Sequence, residues 1–221
     1  MNIENNIIKH YLKNVYFITG TAYAGKSTMV QMLAERYGMV ACGENYHARV
    51  SDQVAVLEKQ PNICYFQTMK DWQEFVNRTP EEYERWLNDT AKEAAEFEVA
   101  ELIGLAQENK VIVDTNIPLD ILHEIADYHQ VAVMLAPQSM SVERFFDRED
   151  AEKQFLLEQI MMAENLEKTM ENFKACIARV NRREYYEAFV GSGFYTLYRE
   201  EGTGDTREEV LEKLAVHFGL K

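Results

Sequence analysis

The stretch that decides the fold is "FITGTAYAGKSTMV", residues 17–30. It contains Gly20-x4-Gly25-Lys26-Ser27, the spacing of a loop that cradles phosphate groups. Residues 15–18 form a short apolar run rich in β-forming side chains, which predicts a buried strand. After Ser27, apolar residues recur at helical spacing as far as Gly38, which predicts a helix that ends there. The sequence therefore predicts strand, glycine-rich turn and helix, the context that this motif needs.

Each residue type in the motif has a chemical reason. Gly20 and Gly25 let the backbone bend and bring its N–H groups to phosphate oxygens, and the following helix presents its positive end to the same anion. Lys26 can place a charge on the β and γ phosphates, and the hydroxyl of Ser27 can ligate Mg²⁺. Tyr23 is unusually large for such a loop; it packs over the loop, touches the nucleotide or is a partly exposed aromatic. The predicted nucleotide-binding residues are Gly20, Thr21, Ala22, Tyr23, Ala24, Gly25, Lys26, Ser27 and Thr28.

Composition limits the class of protein. The length of 221 residues predicts a single domain over residues 1–221, and 47% hydrophobic residues support a proper core. A formal net charge of −14 argues against a nucleic-acid partner, which requires a basic surface. No apolar run approaches the length of a membrane span, so we expect no membrane partner. Cys42, Cys64 and Cys176 lack metal-ligand spacing and are expected to be free thiols of a cytoplasmic protein.

Four further short runs rich in β-forming residues follow the first strand. They occupy residues 39–42, 111–113 (closed by Asp114), 131–135 and 194–198. Strands separated by helical stretches predict an α/β fold with a parallel sheet and helices on both faces. Two long helical blocks interrupt this alternation, the first at about residues 45–108 and the second at about residues 138–190. Both start from the carboxyl edge of the sheet, where ligands bind, so we expect them to close over the site from either side.

Capping signals predict where three helices begin. Thr79-Pro80-Glu81-Glu82 combines an N-cap, a proline at the first helical position and a capping glutamate, and predicts a long helix to about residue 107. Residues 206–209 read as another capping box for a C-terminal helix. Residues 68–71, which begin with Thr68, are a weaker cap for a helix that contains Trp72.

Together, the motif and this layout resemble the P-loop small-molecule kinases, a group that includes nucleoside monophosphate kinases, shikimate kinase and chloramphenicol phosphotransferase. The resemblance implies a P-loop NTPase fold of three α/β/α layers, with a five-stranded parallel sheet in the order 2-3-1-4-5. It implies ATP and Mg²⁺ as cofactors. It also implies that the first helical block binds the phosphoryl acceptor and that the second contains a lid.

The resemblance also implies roles for residues outside the loop. Asp114 corresponds to the acidic residue that closes the third strand, where it would hold Mg²⁺ with Ser27 or contact the acceptor. Glu44 follows the second strand, where relatives place a general base or an acceptor anchor. Arg144 and Arg148 share a helix face and correspond to lid arginines. Each has a plainer interpretation. Asp114 would be a strand-end turn residue, Glu44 a solvated carboxylate, and Arg144 and Arg148 members of surface ion pairs. A second basic cluster offers alternative lid residues: Arg179, Arg182 and Arg183.

The predicted function is therefore transfer of the γ-phosphoryl group of ATP to a small-molecule acceptor: a nucleotide, a nucleoside-like compound or another hydroxyl compound. Adenine is expected near residues 201–204 by family analogy. The sequence lacks the guanine-reading motif of a regulatory GTPase and the modules of a remodelling ATPase. A nucleotide-binding sensor or slow NTPase without an acceptor remains the alternative. The acceptor and the oligomeric state stay open; the first block offers Tyr46, His47, Arg49, Tyr65, Trp72, Arg78 and Trp86.

Overall fold

A five-stranded parallel sheet forms the centre of the protein. The computed structural model describes residues 3–138, 140, 145–146, 151–199 and 204–221. The strands are β1 (Val15–Gly20), β2 (Val40–Cys42), β3 (Val111–Asp114), β4 (Val131–Leu135) and β5 (Tyr195–Tyr198). Their order is β2-β3-β1-β4-β5 and every neighbouring pair is parallel. The predicted α/β fold and strand order are confirmed, and each strand begins within one residue of its predicted start.

Helices connect the strands and extend beyond the sheet. Before β3 lie α1 (Asn5–Tyr11), α2 (Lys26–Tyr37), α3 (Ala48–Val54), α4 (Tyr65–Thr68), α5 (Trp72–Val76) and α6 (Pro80–Leu105). After β3 lie α7 (Leu119–Ile125), a 3₁₀ turn (Tyr128–Gln130), α8 (Ala151–Met161), α9 (Leu166–Val180), α10 (Arg183–Val190) and α11 (Arg207–His217). Within the described parts of the chain, no helix combines the length and apolar character needed to cross a bilayer. The three cysteines are buried free thiols, as predicted.

The sheet is covered on both faces, which is why its central strands are apolar along their whole length. On one face, Phe17 and Val113 pack with Leu102 of α6. On the other face, Ile18 packs with residues of α2 and α11, including Leu33. Alternate residues of β1 therefore serve two different cores, and the fold has helices on both sides of one sheet.

The long helix α6 begins as predicted. The hydroxyl of Thr79 accepts from the Glu82 N–H at 3.3 Å, and the Glu82 carboxylate accepts from the Thr79 N–H at 2.9 Å. Pro80 occupies the first helical position. With 26 residues, α6 is about 39 Å long. It therefore starts far beyond the sheet and ends on it.

Two of the predicted caps are wrong, for the same physical reason. Asp71 caps α5, since its carboxylate accepts from the N–H groups of Gln73 and Glu74, whereas Thr68 ends α4. Thr206 precedes α11 without a side-chain cap bond, while the carboxylate of Asp205 accepts from the Arg207 N–H at 3.1 Å. In both places an ionised carboxylate accepts from the first N–H groups of the helix, and the threonine hydroxyl does not.

The described parts of the two helical blocks pack against each other. Phe75 and Tyr83 of the first block share an apolar cluster with Ile160, Phe173 and Ile177 of the second. Because the contact is a common core, these parts form one packed unit and not two separate flaps at opposite sides of the site.

Candidate functional site

The glycine loop (residues 20–28) leaves β1 at the carboxyl edge of the sheet and is fixed to β4. Gly20 has a φ of 130°, and a Cβ there would lie 1.9 Å from the carbonyl oxygen of Met134. The Thr21 N–H donates to that same carbonyl at 3.0 Å, and the Thr21 hydroxyl accepts from the Ala136 N–H at 2.8 Å. Only glycine fits the first position of the loop, because β4 passes directly against it.

Gly25 sets up the start of α2. Its φ of 90° lies in the left-handed region, and it occupies the N-cap position without a side chain that could accept from the helix. The first N–H groups of α2 are therefore left for another acceptor, and the helix dipole favours an anion at this end.

Tyr23 has the only positive φ, 64°, among the described residues other than glycine. Its carbonyl oxygen accepts from Nη1 of Arg199 at 2.6 Å, and Nζ of Lys153 lies 5.7 Å from its ring centroid. The ring packs beside the core that includes α2, which favours the packing interpretation of this side chain. Arg199 and Lys153, which sequence reasoning missed, bring basic groups to the loop from β5 and from α8; no spacing signal marks either residue.

Lys26, Ser27 and Asp114 meet beneath the loop. Lys26 Nζ lies 3.7 Å from Asp114 Oδ1 and donates to the Thr21 carbonyl at 3.3 Å. The Ser27 hydroxyl donates to Asp114 Oδ2 at 2.7 Å. Asp114 is 1% exposed, and burial raises the pKa of its carboxyl above the ordinary value although Lys26 and Ser27 act in the opposite direction. The structure thus brings together two of the three predicted catalytic groups that it describes, Lys26 and Asp114, with the predicted metal ligand Ser27.

The oxygens of this group suit a magnesium ion. Asp114 Oδ1 is buried and has no hydrogen-bond partner, and it lies beside the carboxylate oxygen that holds the Ser27 hydroxyl. Mg²⁺ prefers oxygen ligands and is usually held by one or two protein groups together with substrate phosphates and water. Over the described residues, no three His, Cys, Asp or Glu side chains form a dedicated metal cluster. Asp114 and Ser27 therefore fit a metal shared with a nucleotide.

Glu44 stands at the same edge of the sheet, on the side of β2. The amide of Asn116, two residues after Asp114, donates to Glu44 Oε1 at 2.9 Å. Glu44 is exposed, and its charge contributes to the raised pKa of Asp114. The third predicted catalytic group is thus near the other two and faces solvent.

A buried acid that sequence reasoning missed completes this edge. Glu98 of α6 is 1% exposed, and its Oε2 accepts from the Thr115 hydroxyl at 2.7 Å. Burial raises the pKa of Glu98 to about 7, opposed by the Thr115 hydrogen bond and reinforced by the charges of Glu44 and Asp114. The sequence signal was present, because residues 94, 95, 98 and 102 form the buried stripe of α6 and only one of them is charged.

The predicted lid arginines, Arg144 and Arg148, lie outside the described residues, as do residues 201–203 of the expected adenine loop. In the alternative cluster, Arg179 pairs with Glu81 and Glu84 of α6, each at 2.6 Å, and Arg182 also pairs with Glu84. Arg183 pairs with Glu187 of its own helix at 2.6 Å. Arg179 and Arg182 therefore link the second block to α6, and Arg183 does not.

The aromatic residues of the first block pack together. Tyr65 and Trp86 both contact Phe75, and Trp72 contacts Phe155 of α8. The guanidinium of Arg78 lies 3.7 Å from the Tyr65 ring centroid. A cleft of about 400 Å³ opens here, lined by Asn62, Tyr65, Glu74, Asn77, Arg78, Glu82, Arg85 and Trp86.

This cleft stands well away from the buried acid. Arg85 precedes Glu98 by thirteen residues of α6, which is about 20 Å along the helix. Glu98 is hydrogen-bonded to Thr115, the residue that follows β3, and therefore lies beside the carboxyl edge of the sheet. Of the acceptor candidates, Tyr46 and His47 lie beside the carboxyl edge of the sheet, because both contact Glu98, and Arg49 pairs with Glu101 one turn further along α6.

Comparison with known proteins adds no assignment. No protein-family model matches the chain, and no curated protein matches it at a significant level.

Proposed function

We propose that the protein is an ATP-dependent kinase that transfers a phosphoryl group to a small-molecule acceptor. The observation that supports this most directly is the group formed by Lys26, Ser27 and Asp114. A buried lysine, a hydroxyl and a carboxylate with one oxygen that accepts no hydrogen bond meet under a glycine-rich turn, at the start of a helix. This is the combination that phosphoryl transfer requires: backbone N–H donors, a cation for the β and γ phosphates, and oxygen ligands for magnesium.

The position of each residue in the site indicates its role. The N–H groups of the glycine loop and Lys26 bind the phosphates, and Arg199 and Lys153 add positive charge from the side of β5 and α8. Asp114 and Ser27 would hold Mg²⁺, which neutralises charge on the phosphate oxygens when bound. The acceptor would enter between Glu44 and the first helical block. Catalysis would consist mainly of positioning and charge neutralisation.

Nucleotide binding is the first test. Mg·ATP at one hundred times its dissociation constant should stabilise the native state by about 2.7 kcal/mol, which a thermal melt detects. Lys26→Ala should abolish most of this stabilisation, because it removes the phosphate-binding cation. Lys110→Ala is the matched control, since Lys110 is exposed and precedes β3 at the opposite edge of the sheet. The proposal is refuted if millimolar Mg·ATP leaves the wild-type melting temperature unchanged.

Acceptor-dependent turnover is the second test. A kinase forms ADP faster when the correct acceptor is added, whereas a sensor or slow NTPase binds ATP and shows no such dependence. The assay is ADP release with a panel of nucleosides, nucleoside monophosphates, sugars and amino alcohols. Stabilisation by Mg·ATP without acceptor-dependent ADP formation for any member would support the sensor and contradict the kinase.

A further inference from the structure

A histidine and the buried acid face each other at the acceptor side of the site. His47 Nδ1 lies 3.7 Å from Glu98 Oε1, and the His47 side chain retains 14% of its exposure while that of Glu98 retains 1%. Of the two ring nitrogens of His47, only Nδ1 is buried without a hydrogen-bond partner. Nε2 is thus the nitrogen that a bound molecule can reach, and Nδ1 is the nitrogen that the carboxylate can orient.

Both members of this pair are fixed by the surrounding structure. The other carboxylate oxygen of Glu98 accepts from the Thr115 hydroxyl at 2.7 Å, and Thr115 directly follows Asp114. The Tyr46 hydroxyl donates to the backbone carbonyl of Glu98 at 3.1 Å, which ties the segment after β2 to α6. The pair is therefore connected to the chain segment that carries the metal-binding carboxylate.

We propose that His47 takes the proton of the acceptor's hydroxyl group, with Glu98 as the residue that positions its imidazole. This inference rests on the proposed kinase function. A carboxylate that accepts from Nδ1–H leaves the Nε2 lone pair free, and this arrangement of base and orienting group is the one that activates hydroxyl nucleophiles in other enzymes. The separation of 3.7 Å is longer than a hydrogen bond, and such contacts tighten in the substrate complex.

The step balances without any further reagent. The hydroxyl oxygen of the acceptor forms a bond to the γ-phosphorus as its proton moves to Nε2. The bond between that phosphorus and the β–γ bridging oxygen breaks, and ADP leaves with the electron pair. The imidazolium then releases the proton to solvent, so that one proton is produced for each ADP.

A base in this position also defines the acceptor. A phosphate or carboxylate oxygen is already ionised at neutral pH and needs no proton acceptor. A neutral alcohol does need one, since its proton must leave before the phosphate ester is complete. The inferred acceptor is therefore a compound phosphorylated on a hydroxyl group, such as a nucleoside or a sugar, and not a nucleoside monophosphate.

The charges around the pair set its pH response. Burial lowers the pKa of His47, while the nearby acids Glu101 and Asp52 oppose this effect. Burial raises the pKa of Glu98 to about 7. The working form has an ionised Glu98 and a neutral imidazole, so activity should rise with pH through about 7. The other titratable or charged groups facing the pair are Cys42, Glu44, Tyr46, Arg49 and Asp114.

The contact can be tested without an acceptor. The ¹⁵N shifts of the two His47 ring nitrogens, assigned with His47→Gln, report which nitrogen carries the proton of the neutral imidazole. Above pH 7, where Glu98 is ionised, the wild type should favour the Nδ1–H form, because the carboxylate accepts from it. In Glu98→Gln this preference should weaken, whereas Glu98→Asp, which keeps the charge, should retain more of it. An unchanged tautomer ratio in both variants overturns the pairing, whatever the enzyme does.

The catalytic role is tested with the acceptor panel. On any hydroxyl acceptor found, His47→Gln should lower kcat by about 100-fold or more with little change in the KM for ATP, and it should remove the rise of kcat with pH near 7. Glu98→Gln should move that rise to lower pH, since the imidazole then titrates at its own lowered pKa. His129→Gln, an exposed histidine ahead of β4, is the control and should match the wild type.

Three outcomes decide the matter. Normal kcat and an unchanged pH profile in His47→Gln overturn the role of His47 and leave the kinase proposal standing. Transfer to the phosphate of nucleoside monophosphates, and to no hydroxyl group, overturns the inferred acceptor class. Absence of acceptor-dependent ADP formation over the whole panel contradicts the kinase proposal itself, and this inference with it.

Discussion

Replacing Glu98 by glutamine should make the protein more resistant to unfolding at alkaline pH. In the folded chain the pKa of Glu98 is raised to about 7 by burial, compared with an ordinary value of 4.5. That difference corresponds to about 3 kcal/mol, since one pKa unit is worth about 1.4 kcal/mol. Glutamine has nearly the same shape and cannot ionise, so it avoids this cost.

The sign follows from the direction of the pKa change. Below pH 4.5 Glu98 is protonated in both states, and the wild type loses nothing. Above 4.5 the unfolded chain releases the proton more readily than the folded chain, so stability is lost as pH rises until it passes through about 7. Between pH 5 and pH 8 the stability of the wild type should fall by about 2 to 3 kcal/mol relative to Glu98→Gln.

Urea unfolding of both proteins at pH 5 and pH 8 measures this difference directly. Glu96→Gln is the control, because Glu96 is exposed on the same helix. Repeating the comparison in a His47→Gln background separates Glu98 from the neighbouring imidazole. A difference that stays constant within about 0.5 kcal/mol between the two pH values would refute the claim that this carboxyl is held in a desolvated site.

Two further predictions concern the loop and the strand end. Asp114→Asn should weaken the Mg²⁺ dependence of ATP binding and slow every reaction, whereas Glu44→Gln should slow acceptor transfer and keep ATP affinity. ATP titrations with and without Mg²⁺, together with transfer rates, measure both effects. Loss of ATP binding in Glu44→Gln would show that the assigned roles are wrong. Gly20→Ala should destabilise the fold by more than about 2 kcal/mol because its Cβ meets the Met134 carbonyl. Gly104→Ala, in the last turn of α6 with open space around it, should be neutral or stabilising by up to about 1 kcal/mol. Equal melting temperatures of the two variants would contradict the packing at Gly20.

The sheet could be predicted because its strands are local events with strong signals. Residues 15–18, 111–113 and 131–135 are apolar without interruption, which is expected only where both faces of a strand are covered. The glycine loop was equally visible, since Gly20 and Gly25 stand where the backbone takes conformations that other residues avoid. Neither prediction depended on contacts between distant parts of the chain.

The features that sequence reasoning missed all depend on such contacts. Arg179 is a lid candidate by sequence, but the packing of α9 on α6 places it against two glutamates ninety-five or more residues away. Glu98 falls at the spacing of the buried stripe of α6, but its partner Thr115 is known only from the tertiary structure. Most charged residues of the chain are not part of a functional site. Only the tertiary structure shows which charged residues are buried.

The acidic character of the site has a consequence for its ligand. Asp114, Glu44 and Glu98 lie at the edge of the sheet beside the loop that we propose binds a triphosphate, and the described cations beside the loop are Lys26, Lys153 and Arg199. A free triphosphate adds about four negative charges to this edge, so repulsion from the acids opposes it. A magnesium ion at Asp114 and Ser27 would remove two of those charges.

ATP without the metal should therefore bind weakly and raise the pKa of Glu98 further, with proton uptake from solvent, because added negative charge favours the neutral carboxyl. Mg·ATP should bind with less proton uptake, and calorimetry in two buffers of different ionisation enthalpy distinguishes the cases. Equal proton uptake with and without Mg²⁺ would mean that the metal does not lie between the nucleotide and these carboxylates.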